Sequence, residues 1–494
     1  MFLAFQFIRC QPTRRAAVAS LVSLAMLGAD GAAAQNANTL PAEIETAVNR
    51  SGLPRDALSL LVLDAEGKAR PRLSHRANVP VNPASVMKLV TTFAALEQLG
   101  PAYGWSTPVY IDGTLKDGVL LGNLYIRGRG DPKLVSERLW LMMRRVQGLG
   151  IKAIQGDIVL DRSAFDSPEQ DPALFDGEPL RPYNAAPDAL LINFKSVVMS
   201  FTPMPALNQA LVGYEPPLAG VTMQASVPLS NGECGDYRGA LKADFTDPRQ
   251  IRFTGSYAAS CGEKLWPVAY ADPKSYGVRA VESAWRALAQ DGGGKLSGVV
   301  REGPVPATLK PVFEVWSPAL SEVIRDINKF SNNVMAQQLF LSLALNGNGG
   351  RRANLETARE TLRKWWKARV PVGEAGVDDM PVFDNGSGLS RNERISASAL
   401  ARLLQLAWAS PYMPEFTASL PLTGIDGTLR RSKAVGAAHL KTGSLRDVAA
   451  VAGYVHGASG KRYILIAIAN HANANAARPV FETLIEWTAR DGAP

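Results

Sequence analysis

Residues 86–99 are bound to form a helix that lies inside a hydrophobic core. Val86, Met87, Leu89, Val90, Phe93, Ala94, Ala95, Leu96 and Leu99 leave it apolar almost all round, the pattern of a buried helix rather than a surface one. Asn82 and Pro83 supply its start as N-cap and first helical residue, and Gly100-Pro101 closes it. Ser85 and Lys88 then fall at its N-terminal end, three positions apart and on one face. Burial pushes a lysine toward its neutral form, and a neutral amine can take the proton of a hydroxyl that is by itself a poor nucleophile. The helix N-terminus adds N–H donors and positive potential for developing negative charge. The fold must therefore bury this helix while opening its first turn to a cleft.

Two later segments suit the other walls of such a cleft. Lys441-Thr442-Gly443-Ser444 precedes the apolar runs 448–455 and 463–468, which flank a turn at Gly457-Ala458-Ser459-Gly460 and read as a β-hairpin. On a strand beside that hairpin, Lys441 supplies positive field and Thr442 a hydroxyl for a carboxylate, while Gly443 permits close backbone approach. Ser331-Asn332-Asn333 joins two helical patterns and carries a hydroxyl and amides. Ser390-Arg391-Asn392 is a rival for that second motif; Ser331 is preferred because it leads directly into a strong helix.

Ser-x-x-Lys, Ser-x-Asn and Lys-Thr-Gly in this order resemble the signature of penicillin-binding proteins and β-lactamases. The runs 122–132, 156–161, 385–391 and 420–429 narrow the resemblance to the D-alanyl-D-alanine carboxypeptidase/endopeptidase family of low-molecular-mass class C penicillin-binding proteins. It extends over about residues 40 to 490, is thin between Asp166 and Ser275, and departs from the family pattern at Lys195, where a second asparagine is usual after Asn193-Phe194.

The resemblance implies an acyl-enzyme on Ser85, with Lys88 as base, Ser331 relaying a proton to the leaving amine and Asn333 holding the acyl-side amide. It assigns Lys441 and Thr442 to the terminal carboxylate and the N–H groups of Ser85 and Ser444 to an oxyanion hole. Arg391 is expected to meet a carboxylate on the third residue of the stem peptide, and Asp166 the ammonium of that residue. The implied partners are peptidoglycan stem peptides and cross-links, with β-lactams as inhibitors; peripheral membrane or cell-wall association and homodimerisation are left open. A β-lactamase or esterase on the same fold and a non-catalytic cell-wall binding protein are the alternatives. A Ser-His-Asp hydrolase would instead need His439, His456 or His471 at Ser85.

Residues 1–34 read as a secretory signal, with Arg9, Arg14 and Arg15, an apolar stretch 16–27, and Ala32-Ala33-Ala34 before the cut. This implies export to the periplasm. The whole chain carries +8 at pH 7, and loss of three arginines with Asp30 leaves it mildly basic, without a polybasic tract of nucleic-acid type. Cys10 leaves with the signal; Cys234 and Cys261 remain, an even pair that in an exported protein suits a disulfide, two free thiols being the alternative. The four histidines show no metal spacing, so neither metal nor cofactor is expected.

The expected fold is α+β: a penicillin-binding-protein/β-lactamase-like domain, an antiparallel sheet flanked by helices, built from 35–105 and 310–494. Simpler members of the fold it resembles place their first two motifs much closer together, whereas close to half of this chain separates them, so the resemblance implies that 106–309 is an inserted accessory module. Short β-like runs, such as 119–121 with 124–126, and 221–227, alternate there with Gly/Pro turns, and both remaining cysteines lie in it, which points to a β-rich module of one or two subdomains.

Overall fold

Leu58–Asp64 and Arg462–Asn470, near opposite ends of the chain, are adjacent antiparallel strands, in register from Leu58 opposite Ala469 to Asp64 opposite Tyr463. Both are apolar on nearly every residue, because helices cover both faces of the sheet they share. The computed structural model describes residues 40–491 apart from 68, 167–169, 348–350 and 374–378. The export signal expected over 1–34 lies outside the described residues. No described helix is long and apolar enough to cross a membrane.

The sheet has five strands in the order Ala438–Leu445, Val448–His456, Arg462–Asn470, Leu58–Asp64 and Leu73–His75. One face packs on Ala42–Ser51 and Arg478–Ala489, around Val48, Val62, Leu465 and Leu484. The other face packs on Ala397–Ala409 and on the helices around Lys88–Leu99. That central helix is buried from Lys88 through Leu96, and Phe93 meets Trp365 and Phe416 edge-on with ring centroids 6.1 and 5.3 Å apart.

The start of this helix differs from the expectation of a regular first turn. Ala84–Met87 is a 3₁₀ turn, and the α-helix begins at Lys88. Asn82 Oδ1 accepts from Ala84 N at 2.9 Å, but Ala84 itself is left-handed at φ 47°. The cause is crowding: Gly388 and Gly443 press directly on the 83–85 backbone, and the chain takes a strained step to pass between them.

Between residues 106 and 316 the chain builds a second core of its own, centred on Leu124, Met142, Val197, Phe201, Tyr276 and Trp285. Ser106–Lys116 and Val119–Arg127 form a hairpin closed by Asp117-Gly118, both at positive φ, as a two-residue turn requires. Phe313–Trp316 pairs with Ser106–Lys116, so the chain enters and leaves this region on neighbouring strands. A five-stranded and a three-stranded sheet follow, and Cys234 is bonded to Cys261.

The run 221–227 is not one strand. Thr222–Met223 pairs with Gln250–Phe253, whereas Ser226–Ser230 pairs with Gln209–Glu215. Gln224 sits at the switch, its side chain bonding Phe253 N and Ser226 O. The region is β-rich, with Ser136–Gly148 and Tyr276–Arg286 as amphipathic helices packed on its sheets.

Candidate active site

Three elements meet at Ser85. The 3₁₀ turn Ala84–Met87 carries the hydroxyl, the strand Ala438–Leu445 passes beside it, and the junction of Leu320–Lys329 with Asn333–Gly347 faces it. A β-carbon on Gly443 would lie 2.6 Å from Pro83 O and 3.2 Å from Ser85 N, so only glycine lets the strand come this close. Ser331 is left-handed at φ 58°, which turns its side chain out of the path between the two helices. The preferred Ser331 motif is thus the one at the site. Its rival Ser390 is buried and donates to Asp384 Oδ2 at 2.6 Å.

Lys88 Nζ lies 2.9 Å from Ser85 Oγ and 2.6 Å from Asn333 Oδ1, and it also donates to Ser387 O. Lys441 Nζ donates to Ser331 Oγ at 2.9 Å and to Thr442 O at 2.7 Å. Both lysines are fully buried, yet Ser85, Ser331 and Thr442 remain partly open to solvent. Burial, reinforced by the charge on Lys441, holds Lys88 well below the ordinary lysine range, with Glu393 pulling the other way. Burial brings Lys441 down to about 7.

Several groups at the site carry no signal in the sequence beyond lying in family-like runs. Ser387 acts through its carbonyl, which Gly386 and Gly388, both at positive φ, turn toward Lys88. Thr428 Oγ1 lies 2.7 Å from Thr442 Oγ1, beside the cleft strand. Lys329, just before the Ser331 junction, bonds Asp426 Oδ2 at 2.6 Å and so ties that junction to the segment carrying Thr428. Asn333 Nδ2 reaches Tyr183 O at 3.5 Å, which brings in the stretch 171–184 where the resemblance is thin.

Arg391 and Asp166 are placed differently from the core set. Arg391 donates to Asp447 Oδ1 at 2.6 Å, and its guanidinium lies 4.7 Å from the centre of the Phe175 ring. It thus stands exposed between the turn after the Lys441 strand and the 171–184 stretch. Asp166 is exposed and anchored through its backbone, donating to Ala353 O at 2.8 Å, and none of the bonds described above includes it. Ser444 is exposed at the end of the cleft strand. His439 and His456 pack edge to face, 5.3 Å apart, and the side chain bonded to Ser85 is a lysine.

Lys195 takes up a structural role. It closes three successive left-handed residues, Asn193, Phe194 and Lys195, and its amine meets Asp188 at 2.9 Å. Asp188 is held from the other side by Gln338 of the Asn333–Gly347 helix, through two 2.8 Å bonds to its backbone. The accessory region is thereby clamped to the helix that presents Asn333.

A protein-family model described as the D-Ala-D-Ala carboxypeptidase 3 (S13) family matches residues 40–491. Among curated proteins, a D-alanyl-D-alanine carboxypeptidase of Actinomadura sp. (strain R39) is 28% identical over 421 residues, covering 80% of this chain and 74% of the relative. The D-alanyl-D-alanine carboxypeptidase DacB of Haemophilus influenzae is 23% identical over 394 residues, covering 78% and 80%. The crystal structure of penicillin binding protein 4 (dacB) from Haemophilus influenzae superposes with a TM-score of 0.70 at 20% identity, over 90% of this chain and 98% of that one.

Proposed function

Because the chain belongs to the D-Ala-D-Ala carboxypeptidase 3 (S13) family and is a serine-type D-alanyl-D-alanine carboxypeptidase, we propose that Ser85 is its nucleophile and Lys88 the base. One observation carries this reading. A neutral amine has two N–H bonds and one lone pair, and Asn333 Oδ1 and Ser387 O accept both N–H groups of Lys88. The lone pair is left for the Ser85 hydroxyl, 2.9 Å away.

The reaction then follows from the surroundings. Ser85 Oγ attacks the carbonyl between the two D-alanines while its proton passes to Lys88. The N–H groups of Ser85 and Ser444 receive the oxyanion, and loss of one such donor typically costs about 100-fold to 1,000-fold in rate. Ser331, bonded to Lys441, relays the proton held by Lys88 to the departing amine, which leaves as D-alanine and frees Lys88 to act on water. Thr442, with Thr428 behind it, and the Lys441 ammonium bind the terminal carboxylate. Water releases the acyl group; the same sequence applied to a cross-linked D-alanyl bond gives endopeptidase activity. Arg391 stands at the edge of this cleft for a further carboxylate, and its exchange of Asp447 for that group would accompany binding. Asp166 as the ammonium partner belongs to the same proposal and rests on the family resemblance alone. We read 106–309, with the Phe313–Trp316 strand that pairs back onto it, as an insertion into an acyltransferase domain formed by 35–105 and the remainder of 310–494, and 1–34 as the signal that exports it to the periplasm.

Mass spectrometry after incubation with penicillin tests the reading. A long-lived adduct on Ser85, together with release of D-alanine from muropeptides, is the expected result. Rapid turnover of penicillin without an adduct would identify a β-lactamase instead.

Lys441 also gives a pH dependence. Its ammonium form prevails below about pH 7 and is lost as the pH rises through that value. KM for a peptide ending in a free carboxylate should therefore climb above neutrality, whereas the same peptide with an amidated terminus should show no such climb. Parallel profiles for the two peptides would remove Lys441 from carboxylate binding.

A further inference from the structure

Glu393 is a buried acid that the chemistry above does not use. Its side chain is fully excluded from solvent, and Oε1 accepts from Asp384 N and Asn385 N, both at 3.3 Å. Oε2 is buried without a hydrogen-bond partner among the described residues. Leaving a carboxylate oxygen in that state is costly, so its retention points to a use.

The two amides it holds begin the 384–388 loop. Gly386 O in this loop accepts from Thr91 Oγ1 at 2.7 Å, and Ser387 O accepts from Lys88 Nζ. Thr91 and Lys88 lie one turn apart on the central helix, so the loop grips the helix at the base itself. Asn385 stiffens the loop by accepting from Ser387 N and Ser387 Oγ, at 3.0 and 2.7 Å. The charged groups around Glu393 are Lys88 from the helix and Asp384 from the loop; Arg359 pairs with Asp384 at 2.5 Å, and the charge on Lys441 also acts on Lys88.

We propose that Glu393 is a positioning residue for Lys88: through Asp384 N and Asn385 N it braces the 384–388 loop whose Ser387 carbonyl seats the amine, and its charge tunes that amine as a base. The proposal rests on the assignment of Lys88 as base to Ser85. Burial, with Asp384 nearby, pushes Glu393 up to about 7, so its charge changes near neutrality. Its negative form favours the Lys88 ammonium, and its neutral form leaves the amine free.

The test is the pH dependence of Ser85 acylation by penicillin in the wild type and in Glu393→Gln. The amide oxygen of glutamine can still accept from both N–H groups, but the negative charge is gone. The acid limb of the profile should move to lower pH by about half a unit or more. A merely structural Glu393 would lower the rate at every pH and leave the limb in place, and that result overturns the proposal. A second measurement covers a variant that does not fold: the ¹³C titration of the Glu393 carboxyl in wild type and in Lys88→Met. Coupling is reciprocal, so removing the Lys88 charge should raise the Glu393 midpoint, and an unchanged midpoint overturns the proposal. Absence of acylation in the wild type would refute the assignment of Ser85 and Lys88, and the proposal with it.

Discussion

Replacing Ser85 with alanine is expected to abolish the penicillin adduct and to lower D-alanine release by about 10⁴-fold or more, as removal of a nucleophile does when the remaining groups act as a unit with it. The fold should survive. Ser85 is only partly buried, and the bond lost is the one to Lys88, whose other two partners, Asn333 and Ser387, stay in place. A single such bond contributes about 1 kcal/mol to stability. The unfolding temperature should therefore hardly move while the chemistry disappears, a split that separates a catalytic serine from a structural one. Adduct mass and D-alanine release, measured on variant and wild type side by side, decide it. An adduct retained in Ser85→Ala would place the nucleophile elsewhere.

Gly388→Ala should be nearly as damaging, for a steric reason. The added β-carbon would stand 2.0 Å from Ala84 O and 2.7 Å from Ser85 Cα, with Gly388 itself at φ +80°. No flexible side chain is there to yield; both neighbours are backbone. A left-handed alanine costs roughly 1–2 kcal/mol, and forcing atoms into a packed site typically costs about 1–3 kcal/mol more. Relief requires the nucleophile turn or the loop bearing Ser387 O to shift, and either movement changes the distance between Ser85 and Lys88. Displacements of about 1 Å in such geometry cost on the order of 100-fold in rate. Thermal unfolding and the rate constant for penicillin acylation should fall together. An unaltered acylation rate would show that the 384–388 loop does not set the geometry of the base.

Much of this was legible in the chain. The apolar run 86–99 required a buried helix, and the hairpin pattern around 448–468 required a strand carrying Lys441 beside it. Local pattern failed where long-range pairing won. The run 221–227 alternates like one strand, yet Gln224 divides it between two sheets. Asn82 and Pro83 are good helix starters, yet the turn they begin is 3₁₀, because Gly388 and Gly443 crowd it from segments hundreds of residues away.

What the sequence by itself determined is the set of candidate groups: a hydroxyl and an amine one turn apart on a helix that had to be buried, and two further motifs of matching chemistry. Hydrophobic period and residue type are local properties, and they suffice for that. The tertiary structure alone decided the state of those groups. Whether Lys88 is a base depends on its burial, on the Asn333 and Ser387 oxygens that occupy its N–H bonds, and on the opposing fields of Lys441 and Glu393. Arg391 shows the same limit, since only the fold revealed Asp447 and Phe175 around its guanidinium. Protonation and orientation are set by desolvation and by charges a few ångströms away in space, and in this chain those charges come from positions far apart in sequence.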